Sequence, residues 1–560
     1  MGVKDKIKVG LLLDGWEADA WVYAMIERIN AGGYARVALA VVNGIQPPKS
    51  KSLFAKIRNN WGSLTSILVG KLLARVQDKL IDRVECDPDA FASKDLRPLL
   101  PGVPVLTVMP VRRKFSDQFR DEDVASIRGH GMDVFIRLGF RILKGEILGS
   151  AKYGVWSYHH GDNAINRGGP AGFWEAMESW PETGSILQIL TEDLDNGKVL
   201  CRSYACTYDL SVRYNRNGYF WKTLAFIPRK LKELHDLGGE RFLARVEEEN
   251  RHPVFYSHRL FTQPGNLAYA KLVLTKLWQK ARNQVVSRFY FDQWFLLFDL
   301  RKDFSGSLWR FKKILPPKDR FWADPHVLYR DGKYFIFIEE LIYRKNKGHI
   351  SVIVMDEKGD YAPPVPVIER PYHLSYPFVF EWENETYMIP ETSENRTIEL
   401  YKCVQFPHRW EFQMNLMEGV EAIDATLFHA DGKWWLFANI VEHPGASSWD
   451  ELFLFHSGAL LSREWTPHPL NPIVSDVKKA RPAGRIFRKD GAVYRPSQDC
   501  SRHYGHGFNL CEITVLNERE YGEKVVASVK PDWDKKIVSI HHFTREGDLT
   551  LIDGQIRRRK

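Results

Sequence analysis

Cysteine is scarce in this chain. Six cysteines (Cys86, Cys201, Cys206, Cys403, Cys500, Cys511) are spread over 560 residues. No two of them stand in a Cys-x-x-Cys pair, so neither structural zinc nor dithiol redox chemistry is supported, and no metal site is expected. Long apolar runs are also missing. The first, in MGVKDKIKVGLLLDG, ends at Asp14 and reads as a β-strand, not a signal peptide. No window has the length a bilayer-spanning helix needs. No Gly-x-Gly-x-x-Gly follows that first strand, so a nicotinamide cofactor is not inferred. Lys and Arg outnumber Asp and Glu by 79 to 70, yet they form no long basic stripe and no nucleic-acid motif, which excludes nucleic acid as a partner. An excess this mild suits an anionic small ligand, such as a nucleotide sugar or a folate, or a membrane surface. The expected setting is soluble, reducing and cytoplasmic, with peripheral membrane contact, if any, at the inner face. The closing Arg557-Arg558-Arg559-Lys560 reads as a solvated tail.

The chain is long enough for two or three domains, and an apolar fraction of 44% can fill their cores. Aromatic rings are plentiful, with 18 Trp and 22 Tyr. Such rings fill β-rich cores or stack on sugar faces. From residue 7 to about 205, strand-like runs (7–13, 37–42, 103–109, 133–138) alternate with helical segments (18–31, 121–131), the pattern of a doubly wound α/β domain. Residues 47–80 are basic and helical in character. Residues 206–290 read as a helical linker region, with amphipathic helices over 230–249 and 268–286. The second of these could lie on an anionic membrane or pack between domains.

Residues 154–200 concentrate the groups that could move protons. His159 and His160 follow a short apolar approach. Arg167-Gly168-Gly169-Pro170, Glu182-Thr183-Gly184 and Asp195-Asn196-Gly197 come after them in order. A helix and a strand between the imidazoles and Asp195 allow the carboxylate to fold back beside them. This stretch resembles the catalytic core of the formyltransferase family, which includes the methionyl-tRNA and sugar-nucleotide enzymes. The resemblance implies that His159 (or His160) and Asp195 are catalytic and that Arg167 contacts substrate. The family's Asn falls on Ser157, or on Tyr158 in a shifted alignment. Gly139-Phe140-Arg141-Ile142-Leu143 is similar to the family's folate-lining loop, so Gly139, Phe140, Ile142 and Leu143 would hold 10-formyltetrahydrofolate and an amino sugar would be the acceptor.

From about residue 291 to the end, one pattern recurs: apolar strand, tight turn, aromatic strand. The copies begin at Trp322, Ser375, Ile423, Arg481 and Ser539, with turns starting at Asp331, Asn384, Asp431, Asp490 and Glu546. Five such units suggest a five-bladed β-propeller. Seven residues before the first four turns stand Asp324, Pro377, Asp424 and Ala483. Equivalent ends of successive blades converge on an axis, so Asp324, Glu340, Glu391, Asp424, Arg481 and Asp499 are expected to ring one mouth. This half resembles the propellers of family 43-type glycoside hydrolases and the N-terminal domain of the plant glucosamine inositolphosphorylceramide transferases. The resemblance implies Asp324 as general base, Asp424 as the second Asp and Glu391 as acid, with Arg481 binding an anionic group.

The reading is therefore a multidomain protein that modifies a glycan, glycolipid or nucleotide sugar. Formyl transfer in the N-terminal domain comes first. A glycosyl hydrolase or transferase centred on the propeller, and a non-catalytic glycan-binding scaffold, are the alternatives.

Overall fold

The computed structural model describes residues 5–45, 61–193, 196–302 and 306–560, with backbone only over 61–68. Asp195 and the basic stretch 47–60 lie outside the described residues. The chain divides into two compact units. The first comprises Met1–Ser203, Thr207–Lys280 and His443–Ala446, the second Tyr204–Cys206, Ala281–Glu442 and Ser447–Lys560.

The first unit is built on a seven-stranded sheet. Its strands are β1 (Ile7–Leu13), β2 (Ala35–Asn43), β3 (Val105–Val108), β4 (Val134–Arg137), β5 (Val155–His159), β6 (Glu182–Ile189) and β7 (Lys198–Cys206), in the order β7-β6-β5-β4-β1-β2-β3. The pairings β1–β2, β2–β3, β1–β4 and β4–β5 are parallel, and β6 runs antiparallel to β5. Val9, Leu11, Leu12 and Leu13 are all buried, as a parallel strand covered on both faces requires. The order reverses across β1, so the carboxyl ends of β1 and β4 open a crevice at a topological switch point.

The region 206–290 is not a separate linker. Helices Val212–Thr223, Phe226–Leu237 and Gly239–Glu249 belong to the first unit, where Phe220, Leu231, Leu234 and Phe242 are buried. The Phe242 ring stacks on Trp156 at 5.8 Å. The single helix expected over 230–249 is broken at Gly238, whose φ of +80° ends one helix before the next begins.

The second unit consists of five antiparallel sheets. Four follow one another along the chain and span 320–368, 375–418, 422–467 and 487–529. The fifth joins both ends of the unit. Strand Tyr290–Leu300 pairs with Leu549–Arg559 along its whole length. The closing arginines are thus part of a strand, not a tail. Arg557 pairs with Asp292 at 2.8 Å, and Arg558 bonds the Gln293 side chain at 2.6 Å.

The hairpins of the first four sheets turn through Asp331-Gly332, Glu383-Asn384, Asp431-Gly432 and Asp490-Gly491. All eight residues have positive φ, the mark of two-residue type I′ turns. The second turn therefore starts at Glu383, one residue earlier than its sequence suggested. The residue seven places before it is Tyr376, not Pro377. Asp324, Tyr376 and Asp424 are equivalent: each has positive φ (52°, 41° and 52°) and each sits in a register shift of its hairpin. These are β-bulges, which re-aim a side chain at the end of a strand.

In the fourth sheet the residue seven places before the turn is Ala483, and the positive φ falls on the next residue, Gly484. Its φ is +129°, and an added Cβ would lie 2.0 Å from the Phe543 carbonyl oxygen. Gly484→Ala is therefore expected to destabilise the second unit by about 2–4 kcal/mol, from backbone strain and overpacking together. Urea denaturation of the variant against wild type checks this.

Candidate functional site

The bulges bring polar groups from all five sheets together. From the first sheet comes Asp324, buried and met by His541 of the fifth, whose Nε2 lies 3.0 Å from Asp324 Oδ1. The other ring nitrogen of His541 lies 2.9 Å from Asp553 Oδ2. Asp553 also accepts the backbone N–H groups of His541 and His542 (3.0 Å each) and of Asp324 (3.2 Å). Burial works against the charges, but the two carboxylates outweigh it and raise His541 to about 10. Burial likewise opposes ionisation of Asp324, yet His541 and His542 hold its carboxyl well below the ordinary range. The result is an Asp–imidazolium–Asp relay with Asp324 fixed as an anion. The three side chains also offer donor atoms within 4.8 Å of one another. They would suit a divalent cation only if His541 gave up its proton.

Tyr376 links this relay to the next sheets. Its backbone N–H donates to Asp324 Oδ2 at 3.3 Å, its hydroxyl meets Thr426 Oγ1 at 2.7 Å, and that hydroxyl accepts the Gly484 N–H at 3.0 Å. Asp424 stands in the third sheet at the place Asp324 holds in the first. Arg481 Nε donates to its Oδ2 at 2.6 Å, as does Gln498 Nε2 at 3.0 Å. The Asp424 N–H points to Glu391 Oε2 at 3.3 Å. Burial pushes the Asp424 carboxyl up to about 8. Arg481 pulls against burial, while Glu391 and Asp324 add to it. Two aspartates in matching positions are thus driven in opposite directions by their surroundings.

Aromatic rings line the same place. The Arg481 guanidinium lies 4.9 Å from the centre of the Tyr504 ring, which is itself 5.0 Å from His541 and 5.6 Å from Trp449. Tyr504 and Trp449 are half-buried and so keep ring surface open to a ligand. Neither stood out in the sequence, because both lie in loops outside the repeat.

The other expected ring residues behave differently. Glu340 is a structural anion. Against burial, its hydrogen-bond partners His349, Ser351, Trp322 and Arg320 lower it to about 2. Its neighbour Glu339 points the opposite way, lies 3.1 Å from His373, and is pushed up by burial with Asp324 adding to it. Strand alternation explains the exchange, since successive side chains face opposite sides. Asp499 caps the Ser501 N–H at 3.0 Å. Arg481 does not stand free for an anionic ligand, because Asp424 already accepts its Nε–H and Glu391 Oε2 lies 3.9 Å from its guanidinium. Glu391 lies beside Asp424, with one oxygen also accepting from the Ser393 hydroxyl at 2.8 Å.

In the first unit, a cavity of about 190 Å³ at the strand ends is lined by Arg137, Ile142, Leu143, Lys144, Ser157, Tyr158, His159 and Gln188, among others. His159 Nε2 contacts the Asn166 carbonyl at 3.0 Å. His160 is partly buried among aromatic rings. It stacks 3.7 Å from Phe220, and burial lowers its ring to about 3, so it stays neutral. Ser157 is buried and accepts a hydrogen bond from Arg137 Nη1 at 3.1 Å. Arg137 also donates to the carbonyls of Phe140 and Arg141 at 3.0 Å each. Ile142 and Leu143 line the cavity; Gly139 and Phe140 do not. Gly139 lets the loop approach β1, since an added Cβ would lie 2.2 Å from the Asp14 nitrogen. Phe140 is buried against Phe119 at 4.9 Å. Arg167 is held in its own loop by the Asn163 carbonyl (2.8 Å) and the Tyr256 ring (4.8 Å).

Residues 315–549 match the family described as the N-terminal part of glucosamine inositolphosphorylceramide transferase 1. The chain is 36% identical over 206 residues to that transferase from Oryza sativa subsp. japonica, covering 36% of this chain and 27% of the relative. It is 32% identical over 247 residues to the Arabidopsis thaliana protein of the same name, covering 42% and 32%. The match thus spans about a quarter to a third of the length of these curated relatives. Among solved structures, Zg3597, a family 117 glycoside hydrolase from Zobellia galactanivorans, is similar at 12% identity with a TM-score of 0.32. The similarity covers 48% of this chain and 90% of that one.

The relay predicts a pH dependence. His541 is raised above the ordinary histidine value, so its stabilising effect is complete below about pH 6.5 and is lost as the pH climbs through about 10. The depressed Asp324 acts in the opposite sense: its contribution is present above about pH 4 and is lost as the pH falls through its folded value. The excess melting temperature of wild type over His541→Gln should therefore peak between these limits and shrink on both sides, as thermal melts across pH will show.

Proposed function

We propose that the second unit binds the sugar headgroup of a glycan or glycolipid and that the chain works as a glycan-modifying transferase. The observation that carries this reading is the pair Asp324 and Asp424, equivalent in position and opposite in protonation tendency. Two carboxyls pushed apart in this way divide the work of acid and anion in glycosyl chemistry. Asp424 would give its proton to the leaving oxygen as the bond from that oxygen to the anomeric carbon breaks. The Asp324 carboxylate would face the positive charge that develops on that carbon. An acceptor hydroxyl would then bond to the carbon and return its proton to Asp424. Tyr504 and Trp449 would supply stacking surface for the sugar. The match of residues 315–549 to the N-terminal part of glucosamine inositolphosphorylceramide transferase 1 makes an inositolphosphorylceramide headgroup carrying an amino sugar the first substrate to try.

A second reading places one-carbon transfer in the first unit, with His159 and Asp195 acting on an amino sugar and 10-formyltetrahydrofolate as donor. The cavity lined by Ile142, Leu143, Ser157 and His159 favours it. The Arg137 guanidinium on Ser157 counts against it, because it engages the Ser157 hydroxyl and sets a fixed cation beside the position where the family has a neutral amide.

With a radiolabelled glycosylated inositolphosphorylceramide in detergent micelles, Asp324→Asn and Asp424→Asn should each lower turnover at least about 100-fold while sugar affinity shifts less than about threefold. Turnover within a factor of two of wild type in both variants would remove the propeller from the chemistry. Binding without any turnover in wild type would favour the scaffold alternative. Calorimetry with a stable folate analogue decides the second reading: saturable binding near micromolar, about 8 kcal/mol, keeps it, and no heat at millimolar analogue ends it.

A further inference from the structure

Helix Asn266–Phe289 carries more apolar surface than its packing uses. Its inward side buries Val273 and Lys276, with Lys276 Nζ on the Ser179 hydroxyl at 2.6 Å. Elsewhere on the helix Leu267, Leu274, Trp278, Val285 and Phe289 are 87%, 66%, 62%, 59% and 55% exposed. These five recur at intervals of 7, 4, 7 and 4 residues. At about 100° per residue they fall within an arc of about 60°, a continuous stripe about 33 Å long.

The charge around the stripe has one sign. The helix contains Lys271, Lys276, Lys280, Arg282 and Arg288 and no Asp or Glu. Lys276 is committed inward, and Lys280 donates to the Leu80 carbonyl at 2.7 Å. Lys271 and Arg288 are exposed and lie at the edges of the stripe. Self-association through this face would bring those cations together without an acid to match them. An anionic bilayer accommodates both features: apolar side chains enter the acyl boundary, and the basic groups reach the phosphates.

We infer that this helix is a docking surface for an anionic lipid bilayer, lying in the interface with its Leu267–Phe289 stripe facing the lipid. The inference stands on the helix alone, so it can fail or hold independently of the sugar site.

The test is vesicle flotation of the full chain, with phosphatidylcholine vesicles and with vesicles that also contain phosphatidylserine. The protein should float with the anionic vesicles, remain behind with the neutral ones, and be released by high salt. Leu274→Ser with Val285→Ser should cut the bound fraction about tenfold with the melting temperature unchanged. Lys271→Glu with Arg288→Glu should abolish the preference for anionic lipid. Failure to float, or equal flotation with both vesicle types, overturns the inference. So does a concentration-dependent dimer in light scattering that the Leu274→Ser, Val285→Ser variant abolishes.

Discussion

A single imidazolium, His541, holds the candidate site together. It lies between two buried carboxylates, 3.0 Å from Asp324 and 2.9 Å from Asp553. Three charges in a dry interior are costly to desolvate, and such clusters contribute geometry more reliably than stability. Here the geometry joins the first sheet of the second unit to the fifth. Asp553 belongs to the strand that pairs with the unit's opening strand, and it also grips the backbone of Asp324. The strand that joins the two ends of the unit thus also carries the carboxylate that holds His541 and the Asp324 backbone.

Repetition explains how one carboxylate came to have a counterpart. Asp324, Tyr376 and Asp424 share a bulge with positive φ, a conformation most side chains avoid. Three repeats bearing the same strained residue present three polar groups at one level. Their chemistry then diverges through their neighbours. A cation shared with Asp553 stabilises the charge on Asp324. Asp424 has a cation too, Arg481, but burial beside Glu391 and Asp324 outweighs it. The Tyr376 hydroxyl is bonded on both sides, to Thr426 and to the Gly484 N–H, while its backbone N–H meets Asp324.

In the first unit the order of motifs along the chain says less than the contacts they make. The elements of a formyltransferase-like stretch occur in sequence, and β5 delivers His159 to a cavity at the strand ends. Its companion His160 is enclosed by aromatic rings and kept neutral, which suits packing. The guanidinium of Arg137 donates to Ser157 and is held by two carbonyls of the loop that follows. A permanent cation changes which ligand the cavity can accept, because it favours an anion over a neutral carbonyl.

Much of this protein was written in local pattern. Alternating strands and helices, buried runs such as Val9–Leu13, the Asp-Gly turns and the five-fold recurrence of a hairpin all follow from short-range rules of burial and backbone sterics, and the sequence by itself determined them. It also marked Asp324, Asp424, Glu391 and Arg481, because turn-relative position carries over from one repeat to the next. What it could not determine was which charge meets which. His541 and Asp553 lie more than 200 residues from Asp324, and no local signal announces their encounter. Glu339 and Glu340 are neighbours in the chain but face opposite sides of one strand, so only the assembled sheet decided that Glu340 is spent on Arg320 and Trp322. The helical region after residue 206 looked like a linker because amphipathicity says that a face will be covered without saying by what. Tertiary structure supplied that answer and left the Leu267–Phe289 stripe exposed, since burial is settled by partners brought from far along the chain.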